Sequence, residues 1–258
     1  MISAIVTTYN EEDNIGACLD SLSWASERIV VDSYSTDNTI AIAQSKGARI
    51  LKRKYDNPAS QKNWAIPQAE FEWIILLDAD ERCPSELAEE ILQEIKNPKH
   101  KAYWIKRKNF FMGKHVRYSG WQGDKVVRLF QRDNCRYNDN WVHEEIITNG
   151  KEGFLKQKLV HNTYKSTEHY LAKMDRYADY AVHDLIKKNI RPGFYNFRLK
   201  PIARFFKHFI MQLGFLDGRV GYEISRISAK YVWLKYDKLQ KHIENQSLAL
   251  KKKEEKKA

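Results

Sequence analysis

Apolar and polar positions change period several times along the first hundred residues, and each change marks an element. Ile2 to Thr7 is short and β-rich, Thr8 to Asn10 is turn-like, and Glu11 to Ser23 places Ile15, Leu19 and Leu22 at helical spacing. Arg28 to Val31 reads as a second strand. The polar loop Asp32 to Asp37 follows it, then a helix running to about Lys46 that Gly47 ends. Ala48 to Leu51 is a third strand, Tyr55 to Gln61 a loop, and Lys62 to Ala69 a helix. Strands alternating with helices predict a parallel sheet with right-handed crossovers, whose ligands collect at the carboxyl ends of the strands. Thr8 to Glu11, Asp32 to Asp37 and Asp78 to Glu81 all fall at such ends.

The apolar run Trp73 to Leu77 breaks abruptly into Asp78-Ala79-Asp80-Glu81, the pattern of a strand buried on both faces that emerges at a site. In extended backbone, residues two apart point to the same side, so Asp78 and Asp80 can face one ion or one phosphate. Two uncompensated carboxylates beside a buried strand are costly, and a divalent cation resolves the conflict. The hard-oxygen pair suits Mg²⁺ or Mn²⁺, which take further oxygens from substrate phosphates. A solvated Asp-x-Asp loop capping the helix that starts near Pro84 accounts equally well for these residues alone.

After that helix, at about Pro84 to Lys96, aromatic and basic pieces at Lys101 to Lys106 and Lys125 to Phe130 predict an antiparallel extension of the sheet. From Thr167 the pattern is helical: about Glu168 to Asn189, Pro201 to Leu216 and Arg219 to Asn245, with a charged tail from Leu250. The expected organisation is an α/β domain over residues 1–160 and a helical extension over 161–258. On the helix from Pro201, Ile202, Phe205, Phe206, Phe209, Ile210 and Leu213 form one apolar face. Such a face either packs on protein or lies on a lipid surface.

Composition narrows the classes. At 258 residues and 43% hydrophobic the chain can bury a large core, which excludes a disordered protein. A net charge of +11 favours a polyanionic partner or an anionic membrane surface. Cys18, Cys83 and Cys135 are too few and too scattered for a disulfide framework or a Cys-x-x-Cys metal site. With no signal peptide, this predicts the cytoplasm, with any membrane association peripheral, since no apolar run approaches the ~20 residues needed to span a bilayer.

No Gly-x-Gly-x-x-Gly fingerprint and no Walker loop is present, which removes the best support for dinucleotide oxidoreductases and P-loop NTPases. His143-Glu144-Glu145 lacks the second histidine of a zincin, and the other histidines show no ligand spacing. Instead Thr7-Thr8-Tyr9-Asn10-Glu11-Glu12, Val31-Asp32-Ser33-Tyr34-Ser35-Thr36-Asp37 and Leu76-Leu77-Asp78-Ala79-Asp80, in that order, resemble the inverting glycosyltransferases of family 2, which have the GT-A fold. The resemblance covers about Met1 to Glu145. It implies that Thr8, Tyr9, Glu11 and Asp32 bind the nucleoside of a nucleotide sugar, that Asp78 and Asp80 hold Mg²⁺ or Mn²⁺ on its diphosphate, and that Lys62 lies near the donor phosphates. Many members have two adjacent acids where this chain has Asp32-Ser33.

An inverting transfer also needs a base for the acceptor hydroxyl. Trp141-Val142-His143-Glu144 best matches the family's acid and resembles the branch of bacterial lipopolysaccharide core β-glucosyltransferases, which implies Glu144 rather than Glu145 as base. Arg128 either reaches a donor phosphate or sits exposed on an edge strand. The resemblance thus implies a hexosyltransferase moving sugar from a donor such as UDP-hexose to a cell-envelope glycan or glycolipid. A transferase acting on a polyprenyl phosphate shares the same N-terminal site. A nucleic-acid-binding protein is the rival from another class, opposed by the acidic character of the most ordered motif.

Overall fold

The computed structural model describes residues 1–138, 145–164 and 166–255. The chain forms two compact units, Met1–Phe110 with Gly123–Thr163, and Phe111–Gln122 with the chain from Tyr164 onward. The excursion of 111–122 into the C-terminal unit has no counterpart in the sequence pattern.

In the first unit, β1 (Ile2–Thr8), β2 (Glu27–Asp32), β3 (Arg49–Lys52) and β4 (Trp73–Asp78) are parallel, in the order β3-β2-β1-β4. The sheet continues through β8 (Lys125–Gln131), β6 (Ala102–Phe111), β11 (Glu152–Tyr164) and the two-residue β5 (Glu81–Arg82). Here the β4–β8, β6–β8 and β5–β11 pairings are antiparallel. A separate hairpin pairs β9 (Cys135–Tyr137) with β10 (Ile146–Thr148). This is the α/β class expected, a Rossmann-like sheet that is parallel through β3-β2-β1-β4 and continues as an antiparallel extension.

The period of two in the central strands divides the core. Ile2, Ala4, Val6, Ile75 and Leu77 face α1 (Glu12–Asp20), α2 (Thr39–Ser45) and α4 (Ser85–Glu94), whereas Ile5, Ile29, Val31, Ile74 and Leu76 face α3 (Pro58–Ala65). Burial on both faces is why these strands read as continuous apolar runs.

Within the first unit two expectations need correction. The helix predicted to begin at Lys62 begins at Pro58: Asn57 accepts a hydrogen bond from the Ser60 amide at 2.8 Å and Pro58 takes the first turn, so the apparent loop is the cap. The thirteen-residue β11 was not predicted at all, because Lys156, Gln157 and Lys158 interrupt its apolar alternation.

The second unit contains β7 (Lys114–His115), α5 (Thr167–Lys187), α6 (Lys200–Phe206) and α7 (Arg219–Glu255). Ser166 caps α5 by accepting from the His169 amide. Phe111, Val116, Tyr170, Val220, Ile224 and Ile227 form its core, and Asp217 accepts from the Arg117 and Tyr118 amides and the Ser119 hydroxyl. π-Helical turns at Tyr195–Leu199 and Lys207–Met211 flank α6, so the predicted helix starts earlier and ends sooner than Pro201 to Leu216. Its single apolar face is split: Phe205 and Phe209 pack against Tyr222, while Ile202, Phe206, Ile210 and Leu213 are exposed.

Candidate active site

Parallel register aligns the three polar clusters at one sheet edge. Thr8 lies beside Asp32, and Thr7 beside Asp78. The loops after β1 and β2 are tied together, with the Asn10 amide donating to Ser35 Oγ at 2.9 Å and the Thr36 amide to Asn10 Oδ1 at 2.8 Å. Asn10 and Tyr34 both occupy the left-handed region, at φ 53° and 65°, a conformation sparsely used by residues with a Cβ.

Around this edge the predicted nucleoside residues take different positions. Tyr9 is exposed, and so is Tyr34, which the sequence reading did not single out. The Thr8 hydroxyl is buried with no hydrogen-bond partner among the described residues, an unusual state for a polar atom. Glu11 accepts from the Asn14 side chain, and its amide donates to Thr39 Oγ1. Asp32 is fully buried and accepts from both the amide and the hydroxyl of Ser35, so it shapes the loop that carries Tyr34.

β4 ends at Asp78, and Ala79 and Asp80 form a turn, so the two aspartates are not consecutive outward positions of one strand. Asp78 Oδ1 accepts from Thr7 Oγ1 at 3.0 Å and lies 3.7 Å from Lys62 Nζ; Oδ2 pairs with Arg128. Burial would raise the Asp78 pKa, but the charges of Arg128 and Lys62 and hydrogen bonds from Arg128 and Thr7 outweigh it and hold the carboxyl well below its usual range. Compensation by a metal, inferred from sequence for both aspartates, is thus met at Asp78 by the protein itself.

Arg128 is buried on β8, between β4 and β6, which excludes the exposed edge-strand alternative. Its guanidinium joins Asp78 to the fully buried Glu81, which also accepts from Arg107 at 3.2 Å. Arg107 in turn makes a two-point pair with Asp124 at 2.9 and 2.7 Å. Lys62, Arg107 and Arg128 therefore balance Asp78, Glu81 and Asp124 in one network.

Asp80 Oδ2 lies 3.5 Å from His161 Nε2. Pairing of β11 with β5 sets His161 opposite Glu81, and the Asn162 amide donates to the Asp80 carbonyl at 2.9 Å. The tautomer follows from the neighbours. Asn109 Nδ2 donates to Asp124 at 2.8 Å, so its Oδ1 faces His161 and must accept from Nδ1–H at 2.7 Å. That leaves Nε2 on the Asp80 side.

A carboxylate oxygen and an imidazole nitrogen at this spacing fit a small divalent ion, whose adjacent donors stand about 3 Å or slightly more apart. No group of three or more acidic, histidine or cysteine residues forms a ready-made cation cage among the described residues. Mg²⁺ and Mn²⁺ do not require one when substrate phosphates complete the shell. His161 was missed because it lies on an unpredicted strand and joins Asp80 through sheet pairing rather than sequence spacing.

Glu144 lies outside the described residues. On either side of it, the Asn138 amide donates to the Glu145 carbonyl at 2.9 Å. Tyr137 exchanges two 2.8 Å hydrogen bonds with Asn63, and Lys62 Nζ lies 5.0 Å from the Tyr137 ring. The hairpin is therefore attached to α3 beside the Asp78 network.

The family model described as Glycosyl transferase family 2 matches residues 3–162. Among curated relatives, the lipopolysaccharide core biosynthesis glycosyltransferase LpsC of Rhizobium meliloti is 26% identical, covering 93% of each chain. An uncharacterized glycosyltransferase of Rickettsia bellii is 29% identical over 92% of this chain and 85% of its own. Of solved structures, glucosyl-3-phosphoglycerate synthase from Mycobacterium tuberculosis, in complex with Mn²⁺, UDP-glucose and phosphoglyceric acid, is 18% identical over 52% of this chain and 57% of that one, with a TM-score of 0.39.

Proposed function

Because the chain belongs to glycosyl transferase family 2, we propose that it is an inverting hexosyltransferase that takes sugar from a UDP-linked donor and passes it to a cell-envelope glycan or glycolipid presented at a membrane surface. Glycosyl transfer itself follows from family membership. The observation supporting the finer reading is the convergence of Thr8, Asp32 and Asp78 at one sheet edge, with the Asp80–His161 pair next to it.

In this reading Tyr9 and Tyr34 supply exposed rings for the base, and the Thr8 hydroxyl and Glu11 lie beside the ribose. Asp32 acts through the loop that it folds. Lys62 and Arg128 keep Asp78 ionised at the phosphate end. Asp80, with His161 and beside Asp78, would hold Mg²⁺ or Mn²⁺, which when bound supplies charge neutralisation for the leaving diphosphate. Glu144 takes the proton of the attacking acceptor hydroxyl. The LpsC likeness supports a lipopolysaccharide-core type of acceptor.

The test is thermal denaturation with UDP, with and without Mn²⁺, joined to nucleotide release from a panel of sugar nucleotides. UDP should raise Tm more with Mn²⁺ than with chelator, and Asp80→Asn should erase the difference. Glu144→Gln should keep the UDP shift while turnover drops by roughly 10² or more. A metal response that survives Asp80→Asn would remove that residue from the site.

A further inference from the structure

From the helical segment of the second unit, we infer an in-plane docking surface for an anionic lipid membrane, formed by residues 194–216. This inference stands on that unit alone and is independent of the donor.

Tyr195, Leu199, Ile202, Phe206 and Ile210 recur at intervals of four, three, four and four residues and make one stripe. Tyr195, Ile202 and Phe206 are 58%, 55% and 56% exposed, and Met211 at the end of the stripe is 77% exposed. Isolated exposed apolar residues are ordinary, but a contiguous row of this length marks an interaction surface. The opposite side of the same segment is already engaged. Phe197 packs on Trp233, Phe205 and Phe209 pack on Tyr222, and Lys200 donates to the Tyr236 hydroxyl at 2.8 Å.

Charge selects the occupant. The 32 residues from Leu185 to Leu216 contain seven Lys and Arg and no Asp or Glu. Arg198 and Lys207 are exposed on the flanks of the stripe, with Lys187, Lys188 and Arg191 before it. Aliphatic and aromatic side chains between cations match the boundary of headgroups and acyl chains, where the apolar row sinks and the cations meet lipid phosphate. A second copy would bring like-charged surfaces together. Nucleic acid would satisfy the cations but leave Leu199, Ile202, Ile210 and Met211 in water.

The element lies on the bilayer, since no helix among the described residues is long and apolar enough to cross one. It also presents its side chains without rearrangement. Leu213, at φ 57°, stops the helix, and the next turn is held through Asp217 to residues 117–119.

The experiment is flotation of the full chain with vesicles of phosphatidylcholine alone or mixed with phosphatidylglycerol. Binding is expected to the anionic vesicles and to fall with salt. Ile202→Glu and Phe206→Glu should each lower the bound fraction about tenfold, and Arg198→Glu with Lys207→Glu should remove the preference for anionic lipid. Ile147→Glu, an exposed apolar position in the other unit, should bind like the parent chain. All substituted positions are exposed, so circular dichroism should show unchanged folding. Binding to neither vesicle overturns the inference, as does equal binding to both. A concentration-dependent dimer that Phe206→Glu dissolves, without vesicle binding, would assign the face to a second copy instead.

Discussion

Asn109 has two polar neighbours of opposite demand. A carboxylate can only accept, so Asp124 fixes the amide group, and the amide oxygen then fixes the proton on His161 Nδ1. If Nε2 serves a cation beside Asp80, this orientation sets the affinity of a site that Asn109 never touches, and such outer partners are worth roughly 10–100-fold. Asn109→Leu fills a similar volume but accepts nothing. Mn²⁺ affinity with UDP present, measured from the paramagnetic resonance of free Mn²⁺, should weaken by about that factor while the protein stays folded. Unchanged affinity would show that the ring needs no such lock.

Of the residues named from sequence, Asp78 and Asp80 stand where an apolar strand gives way to carboxylates. Thr8, Tyr9, Glu11 and Asp32 belong to motifs at the ends of β1 and β2 that carry the family resemblance, whereas Lys62 and Glu144 rest on that resemblance without such a break in pattern. His161, Asn109 and Asp124 carry neither signal, because their roles arise from partners many residues away.

Among the elements, α3 shows how a cap places chemistry. Its N-terminus is set by Asn57 and Pro58, and its length then brings Lys62 to within 3.7 Å of Asp78. Removing the cap with Asn57→Ala should cost about 1 kcal/mol, read as a lower denaturation midpoint with an unchanged slope. An unaltered midpoint would mean that packing of Ala59, Ala65 and Ile66 holds the helix alone. The sequence signal for this start was present in the Asn-Pro pair but was outweighed by the polar character of Tyr55 to Gln61. Strands β1, β2 and β4 were legible because burial on both faces leaves unbroken apolar runs. β11 was not, since its exposed lysines carry no period.

For the whole molecule, the ionised network makes a prediction about acid. Burial would raise the Asp78 and Asp124 pKa values, but Arg128 and Lys62 at the first, and Arg107 and Asn109 at the second, pull both below the ordinary carboxylate range. A carboxyl whose folded pKa is depressed stabilises the fold fully above its unfolded value near 4, and loses that contribution as pH falls through the folded value. Tm should therefore be insensitive to these groups down to about pH 5 and fall steeply below about pH 4. In Asp78→Asn the starting Tm should be lower and the acid decline shallower. An equally steep decline in that variant would locate the acid-labile charges elsewhere.

The excursion of residues 111–122 into the C-terminal unit gives the chain an order of completion. During synthesis, this short segment leaves the ribosome well before α5 and α7, which supply the rest of its core. The first unit closes once β11 has emerged, and until α7 follows, Phe111 and Val116 wait uncovered. The second unit therefore cannot complete its core until α7 has been made, later than the last strand of the first unit.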